Sequence, residues 1–552
     1  MISQKIKTTA MFVLLTNIIT LQAEDISIQI TKKYLNIPVS TSVERADMTF
    51  TVDGIVERKF EIRLAASEPN YWVFCDVSAL IGKTITIKYA GNQDGLKLIF
   101  QNDQIVGQDS LYHEKNRPQF HFTTRRGWIN DPNGMIFYDG EYHLFYQHNP
   151  YEDEWGNMHW GHAISNDMIH WKEMPIALYP DELGTMFSGS AVIDYENTSG
   201  FGKPENPAMV AIYTADSPDR QVQCIAYSLD KGRTWTKYEN NPVIDSKEIW
   251  NSKDTRDPKV FWYEPEKHWV MVLNERDGHS IYTSNNLKEW TYQSHTTGFW
   301  ECPELFELPV DDNINNTKWV MYGASGTYMI GSFDGKIFTP EAGKYYFVTG
   351  TAYAAQTFTN IPHYDGRRIQ IAWGRINHPE IPINGMMLLP VELKLRTTKD
   401  GVRMFSYPVK ELETLYADHV KWTSLTTREA NEHIRSFNNA DGLYIRTTIK
   451  LSHATSAGLS LNGQRLLDYD LNFNLVNDVF YSPENMTSME ITADIFIDRT
   501  SVEVFIDDGA YSYSMSRRLS SENNEGFRFW GNNIEIKELQ IRRINSIWKN
   551  KL

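Results

Sequence analysis

The chain has 552 residues, room for two or three domains, and its 41% hydrophobic and 22% charged residues are an ordinary globular balance. A formal net charge of −16 repels phosphate backbones, which argues against nucleic acid as a partner. Three cysteines, Cys75, Cys224 and Cys302, are too few for a disulfide framework, so packed cores must hold the fold.

Residues 1–23 read as an export signal. Lys5 and Lys7 supply the positive start, Ala10 to Leu21 is mostly apolar, and Leu21-Gln22-Ala23 ends in a small residue suited to cleavage. The apolar run is too short and interrupted to span a membrane, no cysteine stands at the cleavage point to take a lipid, and no later segment reads as transmembrane. An exported protein without a membrane anchor is expected, periplasmic or secreted. Cleavage would leave 52 basic against 70 acidic residues, a net charge of −18.

Residues 24–117 contain runs of period two, such as Ile26-Ser27-Ile28-Gln29-Ile30 and Lys83-Thr84-Ile85-Thr86-Ile87-Lys88, the pattern of half-buried strands. They predict a small β-sandwich with no cluster of catalytic-looking residues. From 118 to 402 a polar turn closed by an aromatic ring recurs: Ser165-Asn166-Asp167 to Trp171, Ser228-Leu229-Asp230 to Trp235, Ser284-Asn285-Asn286 to Trp290, and Ser332-Phe333-Asp334 to Phe338. The rings are 64, 55 and 48 residues apart. A strand-turn-strand unit of that period predicts a five-bladed β-propeller with one blade lacking the turn; a plain sandwich of Asp-turn hairpins is the alternative. After Pro408 a short helix-like connector is expected over Val409 to Ala417. More strands follow, among them Ser501-Val502-Glu503-Val504-Phe505-Ile506, so residues 403–552 read as linker and C-terminal β-sandwich. The predicted class is all-β, with no long helix.

The chemistry is concentrated in three segments: Trp128-Ile129-Asn130-Asp131-Pro132-Asn133-Gly134, Arg256-Asp257-Pro258 and Glu301-Cys302-Pro303-Glu304. Each sets an acid within two residues of a proline, on a stretch otherwise fit for a strand. Proline removes a backbone donor and breaks regular pairing, which can aim a side chain into a pocket. The first segment equally fits a simple turn, the second a surface ion pair at a strand entrance, and the third an exposed strand-end Glu. Together they suggest carboxylates converging on a sugar, where a glycosidase needs one to attack or activate water and one to protonate the leaving oxygen. Gly298-Phe299-Trp300 would place aromatic rings around Glu301, disfavouring a charged carboxylate, as suits a proton donor. Cys302 has no basic residue near it in sequence and reads as a buried filler rather than a nucleophile. His143, His148, His159, His162 and His170 crowd together, yet none falls in a familiar ligand motif; neither a metal nor another cofactor is expected.

The ordered series of these segments with Phe145-Tyr146-Gln147-His148-Asn149-Pro150, Trp160-Gly161-His162-Ala163 and Phe187-Ser188-Gly189-Ser190 resembles glycoside hydrolase family 32, the family of invertases, inulinases and levanases. The resemblance covers residues 118 to 550. It implies a five-bladed propeller followed by a β-sandwich, and a retaining hydrolysis of β-fructofuranosides. It implies that Asp131 is the nucleophile, Glu301 the acid/base and Asp257 the group that grips ring hydroxyls and stabilises the transition state. Asn130, Gln147, Trp155, Phe187, Ser188, Arg256, Trp373 and Trp128 match positions lining the fructose pocket. Thr351 stands where many relatives carry an acid, a difference expected to alter the pocket floor or an outer subsite. The N-terminal β domain resembles a module that precedes levanase-like members; it either binds polysaccharide or braces the propeller. The expected partner is a fructan polysaccharide or fructo-oligosaccharide. Exo attack is preferred over endo-levanase action, and levan mildly over inulin; sucrose remains open. An inverting furanosidase and a catalytically silent sugar-binding protein are the rivals.

Overall fold

The computed structural model describes residues 25–438, 440–451, 454–477, 479–480, 489–519 and 525–548. The expected export signal lies outside the described residues.

The first layer pair is a small β-sandwich. One sheet orders Ile26–Gln29, Thr84–Tyr89, Ala46–Val52 and Ile55–Ile62; the other orders Tyr71–Asp76, Tyr34–Val39 and Phe100–Asn102. The alternating runs work as the pattern dictates: Ile28 pairs with Ile85 and Ile26 with Ile87, and the inward set of Ile85, Ile87, Met48, Phe50, Leu35 and Ile37 is fully buried.

Five antiparallel blades follow. The innermost strands of the first four are Gly127–Tyr138, Thr185–Asp194, Thr255–Tyr263 and Glu304–Val310, and each leads into three further strands. The fifth begins at Ala352–Thr357 and continues through Arg368–Asn377, Val391–Thr398 and Gly401–Pro408. An extra strand, Ile383–Met387, pairs with Arg368–Asn377 on one side and, in parallel, with Gly127 and Trp128 on the other, which closes the ring.

The repeated turns join the third and fourth strands of blades one to four. In each, a side-chain oxygen accepts backbone N–H groups further along the turn, two and three residues on in three of them and four residues on in the other. Asp167 accepts from Ile169 and His170, Asn286 from Lys288 and Glu289, and Asp334 from Lys336 and Ile337; Asp230 accepts from Thr234. The closing ring caps the turn: Trp235 and Trp290 donate their indole N–H to carbonyls three residues back, those of Gly232 and Leu287. In the fifth blade the corresponding strands are joined through Thr398 to Gly401 instead.

The connector expected over Val409 to Ala417 is a 3-10 helix over Lys410–Leu415 only, and the next strand starts at Tyr416. It opens the C-terminal sandwich, whose five-stranded sheet faces a seven-stranded one. One strand of the larger sheet, Val348–Gly350, comes from the link between blades four and five and pairs in parallel with Tyr511–Ser516. A buried ion cluster adds to this junction. His121 donates from Nδ1 to Asp498 and from Nε2 to Glu503, both at 2.7 Å. Burial alone pushes the imidazole pKa down, but these two hydrogen bonds outweigh it and raise it to about 9.

Candidate active site

The strand register breaks beside each group of expected site residues. The first inner strand pairs Ile129 with His148 and then Pro132 with Tyr146, so Asn130 and Asp131 bulge out opposite Gln147. The second breaks between Phe187 and Gly189, around Ser188, and the third between Arg256 and Lys259, around Asp257 and Pro258. The Asn-Asp-Pro-Asn-Gly run is therefore not a simple turn; it is a bulged part of the strand Gly127–Tyr138. Arg256 pairs inside the site rather than at the surface. At Glu301 the chain is turned by two successive left-handed residues, Glu301 (φ 50°) and Cys302 (φ 41°), and Asp257 is left-handed too (φ 65°). Side chains from neighbouring blades hold these conformations: the Glu301 amide donates to Asn274 Oδ1 at 2.8 Å and the Asp257 amide to Thr214 Oγ1 at 3.0 Å.

The three acids meet around Cys302. Its amide donates to Asp257 Oδ2 at 3.0 Å, and its thiol lies 3.6 Å from both Asp131 Oδ2 and Asp257 Oδ2, one S–H serving two carboxylates. Burial and the neighbouring acids push the Cys302 thiol well up, so it stays protonated and is no nucleophile. The filler reading is right about reactivity, but the residue is part of the site.

Asp131 accepts from Asn130 Nδ2 at 3.1 Å and from Ser188 Oγ at 2.9 Å. Burial raises its pKa, those two hydrogen bonds oppose the rise, and the Glu301 charge adds to it. Asp257 is 6% exposed. Burial raises it to about 7, Arg256 pulling it down and the Asp131 and Glu301 charges pushing it up. Glu301 accepts from Arg256 Nη2 at 2.7 Å and Nε at 3.2 Å, and from the Tyr353 hydroxyl. The expected ring cage around Glu301 is absent from its contacts: Trp300 stacks on Arg256, 5.2 Å from guanidinium to ring, and Phe299 stacks on His279.

The pocket candidates are linked by contact. Trp128 donates to Asn130 Oδ1 at 2.8 Å and lies edge-on to Trp373, which in turn lies edge-on to Tyr353. Trp155, 53% exposed, meets Phe187 edge-on at 6.1 Å. Gln147 Nε2 and Trp373 Nε1 are buried donors with no hydrogen-bond partner among the described residues, as expected of groups that hold a hydroxyl-rich ligand. Gly385 (φ +80°) backs this wall; a Cβ there would stand 2.1 Å from the Ile129 carbonyl oxygen and 2.9 Å from Trp373 Nε1.

Thr351 is tied to the C-terminal sandwich: its hydroxyl and amide donate to Ser514 Oγ and O, at 2.9 and 3.0 Å. The crowded histidines divide: His143 and His162 approach to 3.1 Å and stack with Phe145, while His170 pairs with Asp167 at the surface. Among the described residues no group of three or more His, Cys, Asp or Glu is arranged to hold a metal ion. Tyr353, Asn274 and Thr214 complete the site without any local signal, since their partners lie 52, 27 and 43 residues away.

Because Asp257 gains a proton on folding, the site carries a pH-dependent cost. Its folded pKa lies above the unfolded 3.8, so stability is fully present below that value and is lost as pH rises through about 7. Asp257→Asn is expected to stabilise the chain by about 1–4 kcal/mol at about pH 8 and by nearly nothing at about pH 4, with activity lost. Urea unfolding at the two pH values measures it; an equal effect at both would mean that Asp257 is not protonated on folding.

Three carboxylates gathered where the inner strands of a five-bladed β-propeller bulge, beside aromatic walls and unpartnered donors, describe a glycoside hydrolase. The chain belongs to glycosyl hydrolases family 32: the family model for the N-terminal domain matches residues 121–408. The levanase of Bacillus subtilis (strain 168) is 42% identical over 504 residues, covering 82% of this chain and 74% of that protein. The extracellular exo-inulinase inuE of Aspergillus niger is 35% identical over 521 residues, covering 79% and 96%. The crystal structure of the Aspergillus awamori exo-inulinase superimposes with a TM-score of 0.69 at 29% identity, over 79% of this chain and all of that one.

Proposed function

We propose that the protein is an exported, retaining β-fructofuranosidase that removes terminal fructose from fructans, levan or inulin, and takes sucrose as a further substrate. The observation that carries this reading is the meeting of Asp131, Asp257 and Glu301 around Cys302, with Gln147 and Trp373 offering unpartnered donors beside them. The levanase, exo-inulinase and invertase relatives support the substrate class, and the word extracellular in the exo-inulinase's name supports export.

Asp131, steadied by Asn130 and Ser188, attacks the anomeric carbon of the terminal fructosyl unit. The glycosidic C–O bond breaks, and Glu301 delivers its proton to the departing oxygen. Water then attacks the fructosyl–Asp131 ester, Glu301 takes the water's proton, and fructose leaves with its configuration retained. Asp257 grips ring hydroxyls, and Arg256 and Tyr353 orient Glu301. The N-terminal sandwich is read as a brace.

Levan, inulin and sucrose, each incubated with wild type and with Glu301→Gln, test the reading through the sugars released over time. Free fructose from the start is expected, with levan fastest among the polymers. Early oligosaccharides would mean endo attack, and no release from any of the three would sink the fructosidase assignment in favour of an arabinan-type furanosidase or a silent binder.

A further inference from the structure

The inner strands run on past the acids, and their far ends enclose a cavity of about 500 Å³. Its wall includes Phe261, four residues beyond Asp257 on the strand Thr255–Tyr263. Between the two sites lies a buried polar layer. Lys259 Nζ pairs with Glu304 at 2.7 Å and donates to the Thr357 carbonyl at 2.9 Å, while Thr357 donates its amide and hydroxyl to Glu304. Both Glu304 oxygens are thereby taken.

Arg368 stands on the same floor. Its guanidinium lies over the Phe306 ring, 5.0 Å from the centroid, and among the described residues it has no hydrogen-bond or ion-pair partner. Burial disfavours its charge. Arg368 is half-buried and lines the cavity, so its N–H donors are open to oxygen from a ligand. Phe261, Trp262 and Trp319 offer half-buried ring faces on the walls, and Glu196, Glu264 and Glu307 stand exposed at the rim. That acidic rim works against a phosphate or carboxylate ligand. A neutral polyol suits all three zones: its oxygens accept from Arg368, its hydroxyls donate to the rim carboxylates, and its apolar faces stack on the rings.

We propose that this cavity, at the opposite end of the propeller axis from the catalytic acids, is a second saccharide-binding site that holds a segment of the fructan chain. The identity of the sugar rests on the fructan reading of the active site; the class of ligand rests on the cavity alone. Bound there, a polymer stays tethered to the enzyme between cleavages, raising the local concentration of chain ends.

Isothermal titration of the Asp131→Asn chain with a short fructo-oligosaccharide tests this without turnover. Two sites per chain are expected, one of them lost in Arg368→Leu and, as a second variant on the wall, in Trp262→Ala, with the other kept. One site per chain in the parent, or two that survive both substitutions, would overturn the proposal, as would a cavity that takes inorganic phosphate and no sugar. Wild-type turnover, read separately, reports on the active-site assignment: fructose release with a single binding site refutes the second site alone.

Discussion

Asp131→Asn is expected to lose fructose release by about 10⁴-fold or more, and Glu301→Gln by about 10²–10⁴-fold, on any fructan the wild type cleaves. The two losses should differ in kind. An aryl β-fructofuranoside has a leaving group that departs without a proton. It should restore the first step in Glu301→Gln, seen as a burst of phenolate, and do nothing for Asp131→Asn. The structure gives the reason: Asp131 receives only neutral donors, Asn130, Ser188 and the Cys302 thiol, while Glu301 is held between a guanidinium and a phenol that can follow it through a change of charge. Rescue of both variants by the aryl substrate, or of neither, would mean that the roles are assigned to the wrong acids.

The second large effect is expected far from the acids. Glu152 is fully buried and accepts from Arg45 Nε at 2.6 Å, from Arg63 Nε at 3.1 Å and from the Arg63 amide at 2.7 Å, so one propeller carboxylate anchors the N-terminal sandwich. Its backbone carbonyl takes the Trp128 amide at 2.9 Å, and Arg45 also donates to the carbonyl of Trp155 at 3.1 Å. Glu152→Ala leaves Arg63 with Glu154 and Asp153 only and should cost about 1.5–3 kcal/mol. Because Trp128 and Trp155 are pocket candidates, KM should rise several-fold with kcat little changed. Urea unfolding and initial-rate kinetics measure the two halves. Lost stability with an unmoved KM would mean that the N-terminal sandwich supports the propeller without shaping its mouth.

These contacts mark what was and was not legible in the chain. The propeller could be read because each of four blades needs a side-chain acceptor four or five residues before a ring, and that local chemistry is written in consecutive residues. The acids could be read because the prolines that break the ladder stand beside them. Cys302, Tyr353 and Glu152 could not, since each acts through a partner distant in sequence: Asp131 is 171 residues from Cys302, and Arg45 is 107 from Glu152. The sequence neighbours of Glu301 suggested aromatic surroundings, but its left-handed backbone turns it towards Arg256 and Tyr353 instead. The far cavity carried no signal either, because the ends of inner strands read as ordinary apolar runs.

The strand Val348–Gly350 has a consequence for the order in which the molecule can be made. It leaves blade four, joins a sheet with Tyr511–Ser516, and only then does the chain begin blade five. A chain that emerges amino end first can close the ring through Ile383–Met387 while the segment between the last two blades still waits for a partner more than 150 residues downstream. The link between blades four and five gains its strand partner last, and a truncation that removes the final sandwich would strip a neighbour from the propeller itself.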